Sequence, residues 1–259
     1  MSQPYAIICL DLLKYAGNDC VDQFERTRLL IGSQAMEKLK KSRVAVFGIG
    51  GVGGYVVEAL VRSGIGALDL VDSDDVSLTN LNRQIIATYK TLNMPKTDAA
   101  EERALSINPN VKITKHKVFY TPQTESMFDF SLFDYVVDAV DTVSAKLSII
   151  KKAKECNVPV ISSMGAGNKL RPDLLEVDDI YNTSVCPLAR AMRPKLRKMG
   201  ITSLKVVYSK EQPVVINTAG QTDDVPPGKH TVPGSTAFVP SAAGLILAAE
   251  VFRDLALSE

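Results

Sequence analysis

Paired cysteines are absent from this 259-residue chain: Cys9, Cys20, Cys156 and Cys186 are widely spaced, with no C-x-x-C among them. That argues against a structural zinc site of paired thiolates and against a disulfide framework, and it fits a reducing, cytoplasmic setting. Charge of one sign is lacking too. Thirty basic side chains against 29 acidic ones leave a net +1, so overall charge argues neither for nor against a nucleic-acid partner. No apolar run is long enough to span a bilayer: the most apolar stretch, Phe238 to Leu257, is interrupted by Pro240, Glu250 and Arg253. No secretory signal is read at the N-terminus, where Asp11, Lys14 and Asp19 break up the apolar residues. Histidine is scarce. His116 reads as a surface residue or part of a basic patch, and His230, in a Pro/Gly-rich stretch before the final helix, is within reach of the active site; neither is assigned as a general base.

What remains is ordinary globular composition, long enough for one sizeable domain. Two short helices, Gln23–Ile31 and Gln34–Lys41, are expected first, separated by Gly32-Ser33. Strands then alternate with helices: strand Arg43–Gly48, helix Val52–Ser63 ended by Gly64, strand Ala67–Val71, helix Lys96–Ser106 stopped at Asn108-Pro109. Strands Val111–Thr114 and Tyr135–Asp138, helix Val143–Glu155 and strand Val158–Ser162 follow. Beyond Gly167 the pattern changes to two isolated strands, in "LRPDLLEVDDI" and "SLKVVYS", flanking a basic helix, Pro187–Lys198. Gln212–Gly234 is rich in Pro, Gly, Thr and Asp and reads as a loop expected to be mobile. The last segment reads as a core helix capped by Ser241, with Gly244 close to another backbone.

Gly48, Gly50 and Gly53 form G-x-G-x-x-G at the end of a predicted strand and the start of a predicted helix. The first glycine permits a tight turn, the second lets backbone approach phosphate, and the third lets helix pack on strand. The helix N-terminus offers free N–H groups and the positive end of its dipole. Asp72 ends the next strand, at the spacing of an acid that bonds a ribose hydroxyl. The fold class expected is α/β: a Rossmann-like, mostly parallel sheet with helices on both faces, plus added antiparallel strands and a basic helix in the C-terminal part. These residues alone leave the nucleotide open, with a dinucleotide redox cofactor the default.

The residues after Asp72 point elsewhere. "DSDDVSLTNLNRQ" and "MPKTDAAEERALSINP" place Asn80, Asn82, Arg83 and Gln84 in the connection and Lys96 at the next helix start. A cation-bearing connection suits a triphosphate, whose negative charge grows as pyrophosphate leaves. Asp138 and Asp141 follow a strand on the sheet edge that carries the glycine turn, and carboxylate oxygens are magnesium's preferred ligands. Asp141 also reads as an N-cap of the helix from Val143.

With "GIGGVGG", "DSDDVSLTNLNRQ", "MPK…INP" and "DYVVDAVDTVSAK", the chain resembles the ThiF/MoeB/HesA superfamily of ubiquitin-activating-enzyme-like adenylyltransferases. The resemblance implies a single adenylation domain over 1–259, with N-terminal helices in 1–42, a nucleotide-binding core in 43–167 and a substrate and dimer part in 168–259. It implies ATP and Mg2+ as cofactors. Gly48, Gly50, Gly51, Gly53, Asp72, Asp74, Asn80, Asn82, Arg83 and Lys96 would bind the nucleotide, Asp72 through the ribose and Asn82, Arg83 and Lys96 through the phosphates. Asp141 would hold the magnesium. Arg28, in "FERTRLLIG", would reach the partner subunit's ATP site, which implies a homodimer. Arg28, Arg83, Lys96 and Asp141 are the expected catalytic set.

Members that activate ubiquitin-like sulfur carriers usually carry two C-x-x-C pairs, and this chain has neither. It has instead Arg190, Arg193, Lys195, Arg197, Lys198, Lys205 and Lys210 without one intervening acid, a footprint suited to phosphate backbone. That segment and its flanks are similar to the tRNA threonylcarbamoyladenosine dehydratase (TcdA/CsdL) branch, which implies adenylation of the threonyl carboxylate of a modified tRNA base and cyclisation by its carbamoyl nitrogen. Such chemistry needs no enzyme thiol. Cys186, at a helix start where the dipole lowers a thiol pKa, is still the cysteine best placed for one. A sulfur-transfer (cysteine desulfurase) partner stays open. The alternatives are an adenylyltransferase for the C-terminus of a sulfur-carrier protein, an NAD-dependent oxidoreductase and a non-catalytic nucleotide-binding scaffold.

Overall fold

The computed structural model describes residues 22–215 and 233–257. Cys9, Cys20, His230 and most of the Gln212–Gly234 loop lie outside them. Six helices and seven strands are described: α1 Glu25–Lys41, β1 Arg43–Phe47, α2 Gly53–Arg62, β2 Ala67–Val71, α3 Lys96–Ile107, β3 Lys112–His116 and β4 Tyr135–Asp138. Then come α4 Val143–Glu155, β5 Val160–Ser163, β6 Leu175–Asp179, α5 Pro187–Lys198, β7 Lys205–Ser209 and α6 Phe238–Ala256. The two helices expected at the start are the halves of α1, broken at Gly32, whose φ of 80° is not helical.

One sheet, ordered β3-β2-β1-β4-β5-β7-β6, carries every strand. All neighbours pair in parallel except β6, which runs antiparallel to β7. The two strands read as isolated are therefore joined to the core sheet. Chain order reverses between β1 and β4, and ligands of open α/β sheets bind beyond the strands' C-terminal ends at such a point.

Strand residues alternate between two buried faces. Val44 and Val46 join α2, α3 and α6 in one core, while Ala45 and Phe47 join α4 and α5 in the other. Burial on both sides is why these strands read as unbroken apolar runs. Each fully buried Val or Phe contributes about 1.5–3 kcal/mol. A smaller cluster of Ala35, Met36, Leu39 and Ala256 seats α1 on α6.

Helix ends follow local chemistry. Gly64 (φ 87°) closes α2 in a Schellman motif, Ile65 N–H donating to Leu60 O and Gly64 N–H to Val61 O. Gly200 does the same for α5, with Ile201 N–H bonded to Leu196 O. Asn157, at φ 56°, takes the equivalent place after α4. Ser241 is not the cap of α6. The helix begins at Phe238 and the Ser241 hydroxyl donates back to Phe238 O (2.9 Å) from inside its first turn, where Pro240 is also tolerated. Gly244 does lie against backbone: a Cβ there would fall 2.3 Å from Val52 O.

Asp69, buried on β2, accepts from Arg43 Nε (2.6 Å) and is bonded to His116 Nε2 (2.8 Å). Burial pushes its pKa up, but His116 and Arg43 outweigh that and hold it below the usual carboxylate value of 3.8. A carboxylate depressed by folding contributes stability above its unfolded pKa and loses it as pH falls through the folded one. The melting temperature is therefore expected to drop as pH falls below about 4. Asp69→Asn should flatten that drop in melting curves recorded across the acid range; an unchanged pH profile would contradict the assignment.

Candidate nucleotide-binding site

The glycine turn leaves the end of β1 at the sheet's reversal point. Gly48 has φ 86°, and a Cβ on it would sit 2.8 Å from Ala139 O, so the turn presses against the loop after β4. A Cβ on Gly53 would lie 1.8 Å from Gly48 O, which fixes how α2 folds back on its own turn. At Gly50 the nearest atom to such a Cβ is Gln84 Nε2, 3.8 Å away, and α2 begins without a side-chain cap. Gly54 N–H bonds to Gly50 O (3.0 Å) and Tyr55 N–H to Val52 O (3.1 Å), which leaves the N–H groups of Gly51, Val52 and Gly53 for an anion. Gly51 admits the Arg83 stem, whose Cγ would stand 3.3 Å from a Cβ.

Asp72 anchors this turn. One carboxylate oxygen accepts Ile49 N–H (2.7 Å), the other accepts Asp74 N–H (2.9 Å), and Lys96 Nζ stands 3.8 Å away. Burial raises the Asp72 pKa against the pull of Lys96 and the two N–H donors. Each carboxylate oxygen has a further lone pair for a hydroxyl. Lys96 is only 6% exposed, which excludes a first-turn surface role. It is delivered by a short antiparallel bridge between Asp75 and Pro95, with Lys96 N–H bonded to Asp74 O (2.9 Å). Its ammonium pairs with Asp74 at 2.7 Å.

In the following connection Asn80 caps its own turn, its Oδ1 accepting Ser77 N–H at 3.2 Å. Arg83 donates to Thr79 O and Asn82 Oδ1, both at 2.9 Å, and Asn82 donates to Ser235 O at 2.9 Å. Among the described residues no carboxylate pairs with Arg83, and burial lowers its pKa. Gln84 is 6% exposed, yet its Oε1 has no hydrogen-bond partner. A buried acceptor without a partner, on a side chain whose Nε2 faces the open glycine turn, marks a place that a donor from water or a polar ligand completes.

Asp141 is exposed on the loop after β4, where Thr142 Oγ1 donates to it at 3.3 Å. The N-cap position of α4 is Thr142, not Asp141. Asp138 has a different role, one that sequence reasoning missed. It is fully buried and accepts from Lys146 Nζ (2.9 Å) and Ser162 Oγ (2.5 Å), while Lys146 also donates to Ser163 O (2.7 Å). Asp138 Oδ1 accepts Val140 N–H at 3.3 Å, so this buried pair shapes the loop that carries Asp141. The signal was present in the spacing: Lys146 stands eight residues after the strand's terminal acid, in the first turn of the helix that follows it.

Arg28 is not part of this cluster. On α1 it pairs with Asp22 (2.5 Å) and with Glu25, beside Leu29 and Leu30, which are 78% and 86% exposed. Cys186 is buried at the N-cap of α5, and Cys156 is exposed.

A glycine turn at the reversal point of a doubly wound sheet, ringed by Asp72, Arg83 and Lys96, defines a nucleotide-binding α/β domain. The chain belongs to the ThiF family, whose pattern its residues 24–255 match. It is 44% identical to the tRNA threonylcarbamoyladenosine dehydratase of Bacillus subtilis over 240 residues, 90% of this chain and 94% of that one. The crystal structure of the Escherichia coli tRNA N6-threonylcarbamoyladenosine dehydratase TcdA with AMP superposes with a TM-score of 0.81 at 29% identity, covering 92% of this chain and 96% of that one. The same enzyme with ATP gives a TM-score of 0.80. Among the described residues no helix is long and apolar enough to cross a membrane.

Proposed function

We propose that this protein is an ATP-dependent tRNA threonylcarbamoyladenosine dehydratase. The threonyl carboxylate oxygen attacks the α-phosphorus of ATP and pyrophosphate leaves. The carbamoyl nitrogen then attacks the activated carbonyl carbon, loses its proton, and AMP departs with the former carboxylate oxygen. The modified base is thus one water lighter. The observation that carries the reading is an acid-free guanidinium, Arg83, and a buried ammonium, Lys96, beside an open glycine turn, in a chain similar along nearly its whole length to that dehydratase.

The donor set fits ATP. Gly50 leaves room for phosphate, and the uncapped start of α2 lacks the acceptor that an anion would supply, while the Gln84 Oε1 lacks a donor that a water or a nucleotide hydroxyl would supply. Asp72 accepts a ribose hydroxyl, Asn82 and Arg83 hold phosphate oxygens, and Lys96 turns from Asp74 toward the developing pyrophosphate charge. Gly51 lets Arg83 cross the turn, and Asn80 holds the connection in shape. Mg2+ would supply further charge neutralisation, and Asp141 offers the hard oxygen ligands for it. Arg28 would serve the site of a second copy in a homodimer, with Leu29 and Leu30 in the subunit contact. The protein acts in the cytoplasm, where its tRNA substrate is found.

Because positioning and adenylate activation can contribute most of the cyclisation rate, no general base is assigned. ATP with Mg2+ is expected to raise the melting temperature, by several degrees at about 100 times its dissociation constant. NADH should leave it unchanged, and stabilisation by NADH but not ATP would contradict the reading.

A further inference from the structure

Seven cations stand between Arg190 and Lys210 without an acid, but the fold uses three of them internally. Arg193 donates to Thr183 Oγ1 (2.6 Å), Lys205 pairs with Asp254 (2.7 Å) and Lys210 with Glu176 (2.7 Å). Arg190, Lys195, Arg197 and Lys198 remain, all on α5 and all exposed. Among the described residues none of these four has a carboxylate partner. Most other cations of the fold do: Arg43, Arg62, Arg103, Lys115, Lys117, Lys152 and Arg171 are all paired with acids. α5 buries Ala189, Met192 and Leu196 on its inner face, so the unpaired charges are fixed outward by packing.

The helix also has a direction. Its N-terminal turn touches the nucleotide edge of the sheet, where a Cβ on Gly165 would stand 3.9 Å from Leu188 Cβ, two residues beyond β5. Its twelve residues reach about 18 Å toward the opposite edge. There a cavity of about 340 Å³ is lined by Tyr181, Arg197, Gly200, Ile201 and Thr202. The Arg197 guanidinium carbon lies 5.0 Å from the Tyr181 ring centroid, and the Tyr181 hydroxyl donates to Ile201 O (2.5 Å), which holds the ring in place. The guanidinium thus lies over one face of the Tyr181 ring, and Arg197 is otherwise exposed.

We propose that α5 and this cavity form a second RNA subsite, remote from the reacting base. Phosphates of the tRNA track along Arg190, Lys195 and Lys198, and an unstacked base continues the Tyr181–Arg197 stack in the cavity. Single-stranded bases stack on aromatic rings and guanidinium planes in this way, and the interaction tolerates any base because every base has a π face. An RNA is favoured over an acidic protein because a cation stripe alone would serve either, whereas a guanidinium held over the face of a tyrosine ring serves a planar base. The inference rests on the dehydratase reading for its substrate.

The test is the affinity of the full chain for tRNA carrying threonylcarbamoyladenosine, measured against salt for wild type and three variants. Arg190→Ala/Lys195→Ala/Lys198→Ala is expected to weaken binding at least ten-fold and to reduce the salt slope by about 2, near 0.7–0.9 per phosphate contact. Arg197→Ala should weaken it about ten-fold, and Arg197→Lys should recover the salt slope but not the affinity. The KM for tRNA rises in each while kcat and stabilisation by ATP stay as in wild type. Affinities within two-fold of wild type with unchanged slopes would overturn the subsite. So would full recovery by Arg197→Lys, which would leave charge without stacking. Wild-type turnover of the modified tRNA reads the proposed function separately, so either idea can fail without the other.

Discussion

Asp141→Ala is expected to lower AMP formation at least about 100-fold, the scale of losing one preorganised electrostatic contact to developing charge. Its melting temperature should stay within about 2 °C of wild type, as expected for an exposed loop residue. The loop is held by Asp138 and by the contact between Gly48 and Ala139, neither of which uses the Asp141 side chain. The two measurements therefore separate chemistry from folding. Removing Mg2+ with a chelator should reproduce the loss in wild type and add little in the variant. Undiminished AMP release by Asp141→Ala would remove this carboxylate from the mechanism.

Lys146→Met is expected to destabilise the protein by about 3–5 kcal/mol, because it leaves the Asp138 carboxylate buried without its cation. For a chain of this length that lowers the melting temperature by about 10 °C or more. Asp138→Asn in the same chain should recover at least half the loss, since a neutral amide can still bond Ser162 and Val140. The pair joins the ends of β4 and β5, so the single variant should also loosen the Asp141 loop and weaken ATP stabilisation. A Lys146→Met protein as stable as wild type would show that the buried pair is not what holds this edge together.

The alternation of short apolar strands with helices was legible because the central parallel strands β1 and β4 are buried on both faces and read as apolar runs, whereas the edge strand β3, KITKH, is largely exposed and polar. The glycine turn was legible for a similar reason: Gly48 and Gly53 stand where a Cβ would meet backbone. Other features depend on contacts that the sequence does not order. β6 and β7 read as isolated strands because only the fold reveals that β7 pairs with β5. The start of α6 was misplaced at Ser241, since a serine inside a first turn bonds back to the preceding carbonyls as readily as it caps. The seven-cation run read as one surface, whereas packing ties Arg193, Lys205 and Lys210 to internal partners. Lys146 was not singled out from the sequence, because its partner, Asp138, is eight residues away across a strand–helix turn.

Incubation of the protein with ATP, Mg2+ and tRNA carrying threonylcarbamoyladenosine, followed by mass spectrometry of the digested nucleosides, tests the central claim most directly. The account predicts that the modified nucleoside loses the mass of one water, with one AMP and one pyrophosphate released per conversion. ATP consumption without that mass loss, or mass loss without AMP, would contradict it.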